Sequence, residues 1–99
     1  MTQIHHTDDR SYADIGGSVR ITNDGTSKSV TVPSYTEAFV CFAEGGDCRL
    51  EIDGSASSTS TLYVAENSMV VYPIKGGTQT LACYGLLSSY GNFRFLATE

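Results

Sequence analysis

Basic residues are few and scattered. Arg10, Arg20, Lys28, Arg49, Lys75 and Arg94 stand singly among 99 residues, and the formal net charge is −5. Binding to nucleic acid draws largely on counterions released by a concentrated positive stripe. This chain has no such stripe, which excludes nucleic acid as a partner, and an anionic membrane surface would repel it. No apolar run approaches the roughly 20 residues of a membrane helix. Residues 1–10 lack the basic-then-apolar order of a secretory leader. The odd cysteine count, three, fits a reducing compartment, so a cytoplasmic site of synthesis is expected.

Histidine is nearly absent: only His5 and His6 occur. Nucleophilic catalysis needs a nucleophile, a base and an orienting group within hydrogen-bond reach. The many serines have no histidine near them in the chain, and no Gly-x-Ser-x-Gly, phosphate loop or dinucleotide fingerprint occurs. Glu37, Glu44, Glu51 and Glu66 could in principle form a glycosidase-like carboxylate pair, but they read as solvated surface groups. The expectation is a protein that is not an enzyme and uses no cofactor.

Metal ligation is also expected to be absent. His5, His6, Asp8 and Asp9 have suitable chemistry, but adjacent histidines on an extended chain point opposite ways. Cys41 and Cys48 are separated by six residues, whereas structural zinc sites use cysteine pairs two to four residues apart. With Cys83, they read as small hydrophobes in a core.

What is abundant is Thr, Ser, Val and Gly, with six Tyr and four Phe. β-Branched and aromatic residues suit a pleated, half-buried surface, and nothing signals a helix. A pattern recurs. Val30-Thr31-Val32-Pro33 leads to Phe39-Val40-Cys41-Phe42, a glycine turn, and Asp47-Cys48-Arg49-Leu50. Val70-Val71-Tyr72-Pro73 leads to Leu81-Ala82-Cys83-Tyr84, Gly91 as the turn, and Asn92-Phe93-Arg94-Phe95. The expected fold is all-β: a compact sandwich or barrel of about eight short antiparallel strands in two similar halves. Residues 1–15 read as an N-terminal arm, Gly16-Gly17 as its hinge, and residues 16–99 as one domain.

The clearest hairpin is predicted for 37–43 against 47–53. There Ala43, Cys41 and Phe39 face Cys48, Leu50 and Ile52 on one side, with Arg49, Glu51 and Asp53 on the other. Residues 38–43 are apolar on both faces, as are 81–87 and 93–97. Hydrophobic side chains left outside the core invite association. Val40, Phe42, Leu86, Leu87 and Leu96 are therefore the expected self-association residues. Ile4, Tyr12 and Ile15 in the arm, with Tyr35 and Tyr90 near turns, are the expected partner contacts, since Tyr brings contact area with few rotatable bonds.

The stretch from Val70-Val71-Tyr72-Pro73-Ile74-Lys75-Gly76-Gly77 to Asn92-Phe93-Arg94-Phe95-Leu96-Ala97 resembles the ends of small all-β virion proteins of tailed bacteriophages, of the head-decoration (cement), neck or tail-accessory kind. The resemblance covers residues 18–99 in style, without a diagnostic motif. It implies a non-enzymatic virion protein, made in the host cytoplasm, that forms homo-oligomers such as trimers and binds a larger protein lattice such as a capsid. A carbohydrate- or ligand-binding β-sandwich module is the alternative, with Tyr35, Tyr90 and the Ser-rich 54–60 segment as its site.

Overall fold

The computed structural model describes residues 3–5 and 11–98, with side chains described for 18–97. The strands are β1 (Gln3–His5), β2 (Ser11–Thr22), β3 (Lys28–Thr31), β4 (Ala38–Glu44), β5 (Cys48–Ile52), β6 (Leu62–Val64), β7 (Met69–Pro73), β8 (Thr80–Tyr84) and β9 (Tyr90–Thr98). One sheet has five strands in the order β1-β2-β9-β4-β7, and the other has four in the order β3-β8-β5-β6. The all-β antiparallel sandwich is as expected, with β1 added to the eight strands of the body.

The pairings nest. β2 pairs with β9, β3 with β8, β4 with β7, and β5 with β6, all antiparallel. The chain is in effect one long hairpin, centred between β5 and β6, wound so that successive pairs fall in alternate sheets. That is the topology of a jelly roll.

The winding corrects the predicted hairpin. β4 pairs with β7 and β9, and β5 with β6 and β8. The Gly45-Gly46 link therefore carries the chain between sheets. The inward face was read correctly: Phe39, Cys41, Ala43, Cys48 and Leu50 share the main core, with Ile52 packed against it. They meet across the sandwich instead of along a ladder. The two sequence copies interleave in the same way, since β3 and β5 pair with β8, and β4 with β7 and β9. They do not form separate halves.

The core is aromatic at its centre. The Phe39 ring lies 6.3 Å from Phe93 and 5.8 Å from Tyr72, and Phe39, Phe93 and Phe95 are all buried. Burial of each contributes roughly 1.5–3 kcal/mol. Gly91, expected as a turn, lies inside β9. A Cβ there would stand 2.9 Å from Cys83 Sγ and 3.1 Å from the Phe93 ring, so glycine is needed for close packing.

Both outer faces are partly covered. On the five-stranded sheet, Ala38, Val40 and Leu96 form a second cluster with Val71. Val40 is 4% exposed and Leu96 0%, which corrects the expectation that they protrude for self-association. They sit on β4 and β9, the strands flanked by neighbours on both sides, and the single chain hides them. On the four-stranded sheet the 53–61 loop lies back over the surface. Ala56 N donates to Ser27 Oγ at 3.0 Å and Arg49 Nη1 to the Ser60 carbonyl at 3.2 Å. Ala82, on the outer face of β8 in this sheet, is fully buried.

The expected arm and hinge are also revised at the backbone. β2 continues through residues 11–22 and pairs with β9 on both sides of the glycine pair. Asp14 opposes Leu96 and Ser18 opposes Arg94, so Ile15, Gly16 and Gly17 lie opposite Phe95 alone. Gly16-Gly17 thus belongs to a bulge within a strand. β1 pairs with β2, Ile4 opposite Tyr12. The side chains of Ile4, Tyr12 and Ile15 lie outside the described residues.

Candidate functional site

The winding collects the loops at two poles. Links 23–27, 45–47, 65–68 and 85–89 gather at one; links 32–37 and 74–79, with the two ends of the 53–61 loop, gather at the other. The exposed residues of interest divide between them.

At the first pole Leu86 and Leu87 are 68% and 76% exposed. Their loop is fastened to a buried polar plug. Asn23, fully buried, donates through its backbone N to the Ser89 carbonyl and through Nδ2 to Ser89 Oγ, both at 3.0 Å. Ser89 Oγ donates to the Leu86 carbonyl at 2.6 Å, and Gly25 N to the Gly85 carbonyl at 2.8 Å. A Cβ on Gly85 would collide with the Asn23 amide. The leucines thus stand on a loop held from inside the core.

The same plug engages the three thiols. Asn23 Nδ2 lies 3.7 Å from Cys48 Sγ, and Cys83 Sγ donates to Asn23 Oδ1 at 3.5 Å. Cys48 Sγ in turn donates to the Tyr90 carbonyl at 3.7 Å. Contact with Cys48, together with burial, pushes the Cys41 and Cys83 thiols up. All three are free and sealed from solvent, so they pack the core as their sequence context suggested. Their polar partners Asn23 and Ser89 were not anticipated. In the sequence Asn23 stands in an Asn-Asp-Gly run that suits a surface turn, and nothing near Ser89 signals a buried role.

Beside the leucine loop lies a cleft of about 420 Å³ that includes Asp47, Arg49, Ser58 and Tyr84. Arg49 Cζ stands 4.4 Å over the Tyr63 ring. Asp47 accepts a hydrogen bond from Tyr63, which holds its carboxyl below the usual range and raises the tyrosine. Phe42 is half-buried on the outer face of the other sheet, opposite the exposed Met69. Tyr90 is half-buried under the Arg20 guanidinium, 4.0 Å away, and Arg20 also pairs with Glu44 at 3.1 Å.

At the second pole Tyr35 is 91% exposed with φ of 69°. It borders a cleft of about 790 Å³ formed by residues 31–37 and 76–80. Tyr35 and Tyr90 are therefore at opposite poles, and the 54–60 segment reaches the first pole through Ser58. The single site that grouped these three does not exist. Of the four glutamates, Glu37 lies at the second pole, Glu44 and Glu66 towards the first, and Glu51 on the four-stranded sheet. Among the described residues no three His, Cys, Asp or Glu side chains are grouped to hold a metal ion, and no helix is long and apolar enough to cross a membrane.

Compared with known protein families, curated proteins and solved structures, the chain matches none. Jelly rolls serve as both capsid and lectin domains, so the fold alone does not choose between those roles.

Proposed function

We propose that the protein is a non-enzymatic structural subunit of a phage virion, associating with itself and with a larger protein lattice such as a capsid. The contacts are made by the poles of the jelly roll rather than by its sheet faces. The observation behind this reading is the exposure of Leu86 and Leu87, 68% and 76%, on a loop fixed by Asn23 and Ser89. Burying each leucine at an interface is worth roughly 1.5–3 kcal/mol. A loop ordered in advance loses little entropy on docking, so most of that free energy is available to hold copies together. The virion setting and the trimer come from the resemblance of residues 70–97 to phage structural proteins.

Sedimentation velocity on the wild type and on the Leu86→Asp/Leu87→Asp double variant tests the reading. The expected result is an oligomeric wild type and a folded, monomeric variant. A wild type that remains monomeric at high concentration removes self-association, and failure to bind virus particles removes the lattice role.

A further inference from the structure

Tyr35 occupies a backbone conformation that ordinary side chains avoid. Thr36 N donates to the Pro33 carbonyl at 3.3 Å, closing a four-residue turn with Ser34 and Tyr35 at its centre. Only the second central residue has positive φ. That is the pattern of a type II turn, whose third position is normally filled by glycine or asparagine. A bulky aromatic there is a true outlier. The strain brings no internal return, because the ring projects into solvent at 91% exposure. The turn is locked beneath it: Thr36, buried, donates its hydroxyl to the same Pro33 carbonyl at 2.7 Å. Strain that serves no contact within the molecule is characteristic of a residue presented to something outside it.

The surroundings are similarly fixed. Val32 N donates to the Gln79 carbonyl at 2.8 Å, tying the two walls of the cleft together. The Asp53 carboxylate accepts from Gln79 N at 2.8 Å and Thr80 N at 2.9 Å. Glu37 N donates to the Leu96 carbonyl at 2.8 Å. Gly76 and Gly77 have open space where a Cβ would stand, and this leaves the cleft wide. Its volume, about 790 Å³, is in the range of small-molecule sites.

We infer that this cleft binds a neutral oligosaccharide, with Tyr35 as the platform for one sugar face. A sugar ring offers polarised C–H bonds on its flat face, which suit the negative face of an aromatic ring, and hydroxyls around its rim. Ser34 and Gln79, a hydroxyl and an amide residue, line the cleft with the tyrosine. Among the described residues no arginine or lysine lines it, so a phosphate or an acidic sugar finds no counter-charge from them. This inference goes beyond the assembly reading and does not depend on the leucine loop.

The test is an array of neutral oligosaccharides, four to eight units long, built from glucose, galactose, mannose or N-acetylglucosamine, followed by amide-resolved NMR titration of any hit. Binding should shift the amides of residues 34–37 and 76–79. Tyr35→Gly keeps the turn and should weaken binding at least tenfold. Gly76→Val enters open space and should weaken it several-fold by narrowing the cleft. The inference is overturned if no array member binds, if the shifts fall at the first pole, or if Tyr35→Gly binds as the wild type does. An empty array combined with loss of particle binding in Tyr35→Gly would make the cleft a protein contact and not a sugar site.

Discussion

At one pole two leucines stand on a loop bonded to a buried asparagine; at the other a tyrosine stands on a turn whose own backbone is strained. The first arrangement couples the surface to the core through the bonds of Asn23 and Ser89. The second separates them, since the tyrosine contributes nothing to core packing and its turn would be more stable without it. The leucine loop also has a positive φ, 69° at Ser88, but that loop is held by bonds to the core, whereas the exposed Tyr35 ring makes no contact that offsets its strain.

The largest effect should come from breaking the coupling at the first pole. Asn23→Ala removes the partner of Ser89 and Cys83 and leaves a cavity. The expected cost is about 2–3 kcal/mol in urea unfolding. In the wild type a disulfide reagent such as DTNB should label none of the three cysteines until global unfolding. Labelling at lower denaturant would show that this pole opens on its own. Tyr35→Gly should do the opposite and stabilise the fold by about 0.5–1 kcal/mol, as relief of the left-handed strain exceeds the extra entropy lost by glycine. If it destabilises, the ring makes contacts that its exposure does not suggest, and the two poles are more alike than they look.

Leu86→Asp/Leu87→Asp should change monomer stability by less than about 0.5 kcal/mol, because both side chains point into water. A larger loss would place them in the core's support.

The smallest effect concerns acid. Hydrogen bonds from the Thr80 and Gln79 amides hold the Asp53 carboxyl below its usual 3.8. A depressed carboxylate contributes stability that is fully present above that value and is lost as the pH falls through the lower, folded value. Between pH 5 and pH 2.5 the amide resonances of Gln79 and Thr80 should move, and hydrogen exchange across residues 74–80 should quicken. Asp53→Asn should remove that pH dependence. Resonances that do not respond would mean the cleft wall is held by other bonds.

The inward faces of the strands were legible because alternation has a period of two and needs no knowledge of the partner. Phe39, Cys41, Leu50 and Cys83 could be assigned to the core on that basis. Partners were not legible. A short glycine link suits a tight hairpin in sequence, yet Gly45-Gly46 bridges two sheets, and the same inward pattern satisfies either arrangement. Two-sided apolar strands were misread for a related reason. By alternation Val40 and Leu96 fall outside the core, but on the outer face they pack with Ala38 and Val71 into a second buried cluster. Tyr35 was found by its place near a turn; its strain was invisible without the backbone.

Composition and alternation by themselves determined an all-β fold, sandwich or barrel, the inward side of its clearest strands, and the lack of a basic stripe. Those properties depend on local chemistry and on side chains pointing alternately up and down. Only the tertiary structure decided which strands pair, which greasy residues stay in water, and that an asparagine lies under the leucines while a tyrosine carries strain at the far end. These depend on contacts between residues far apart in the chain, such as Asn23 and Ser89, 66 positions apart, and no local pattern records which distant segment will arrive to make them.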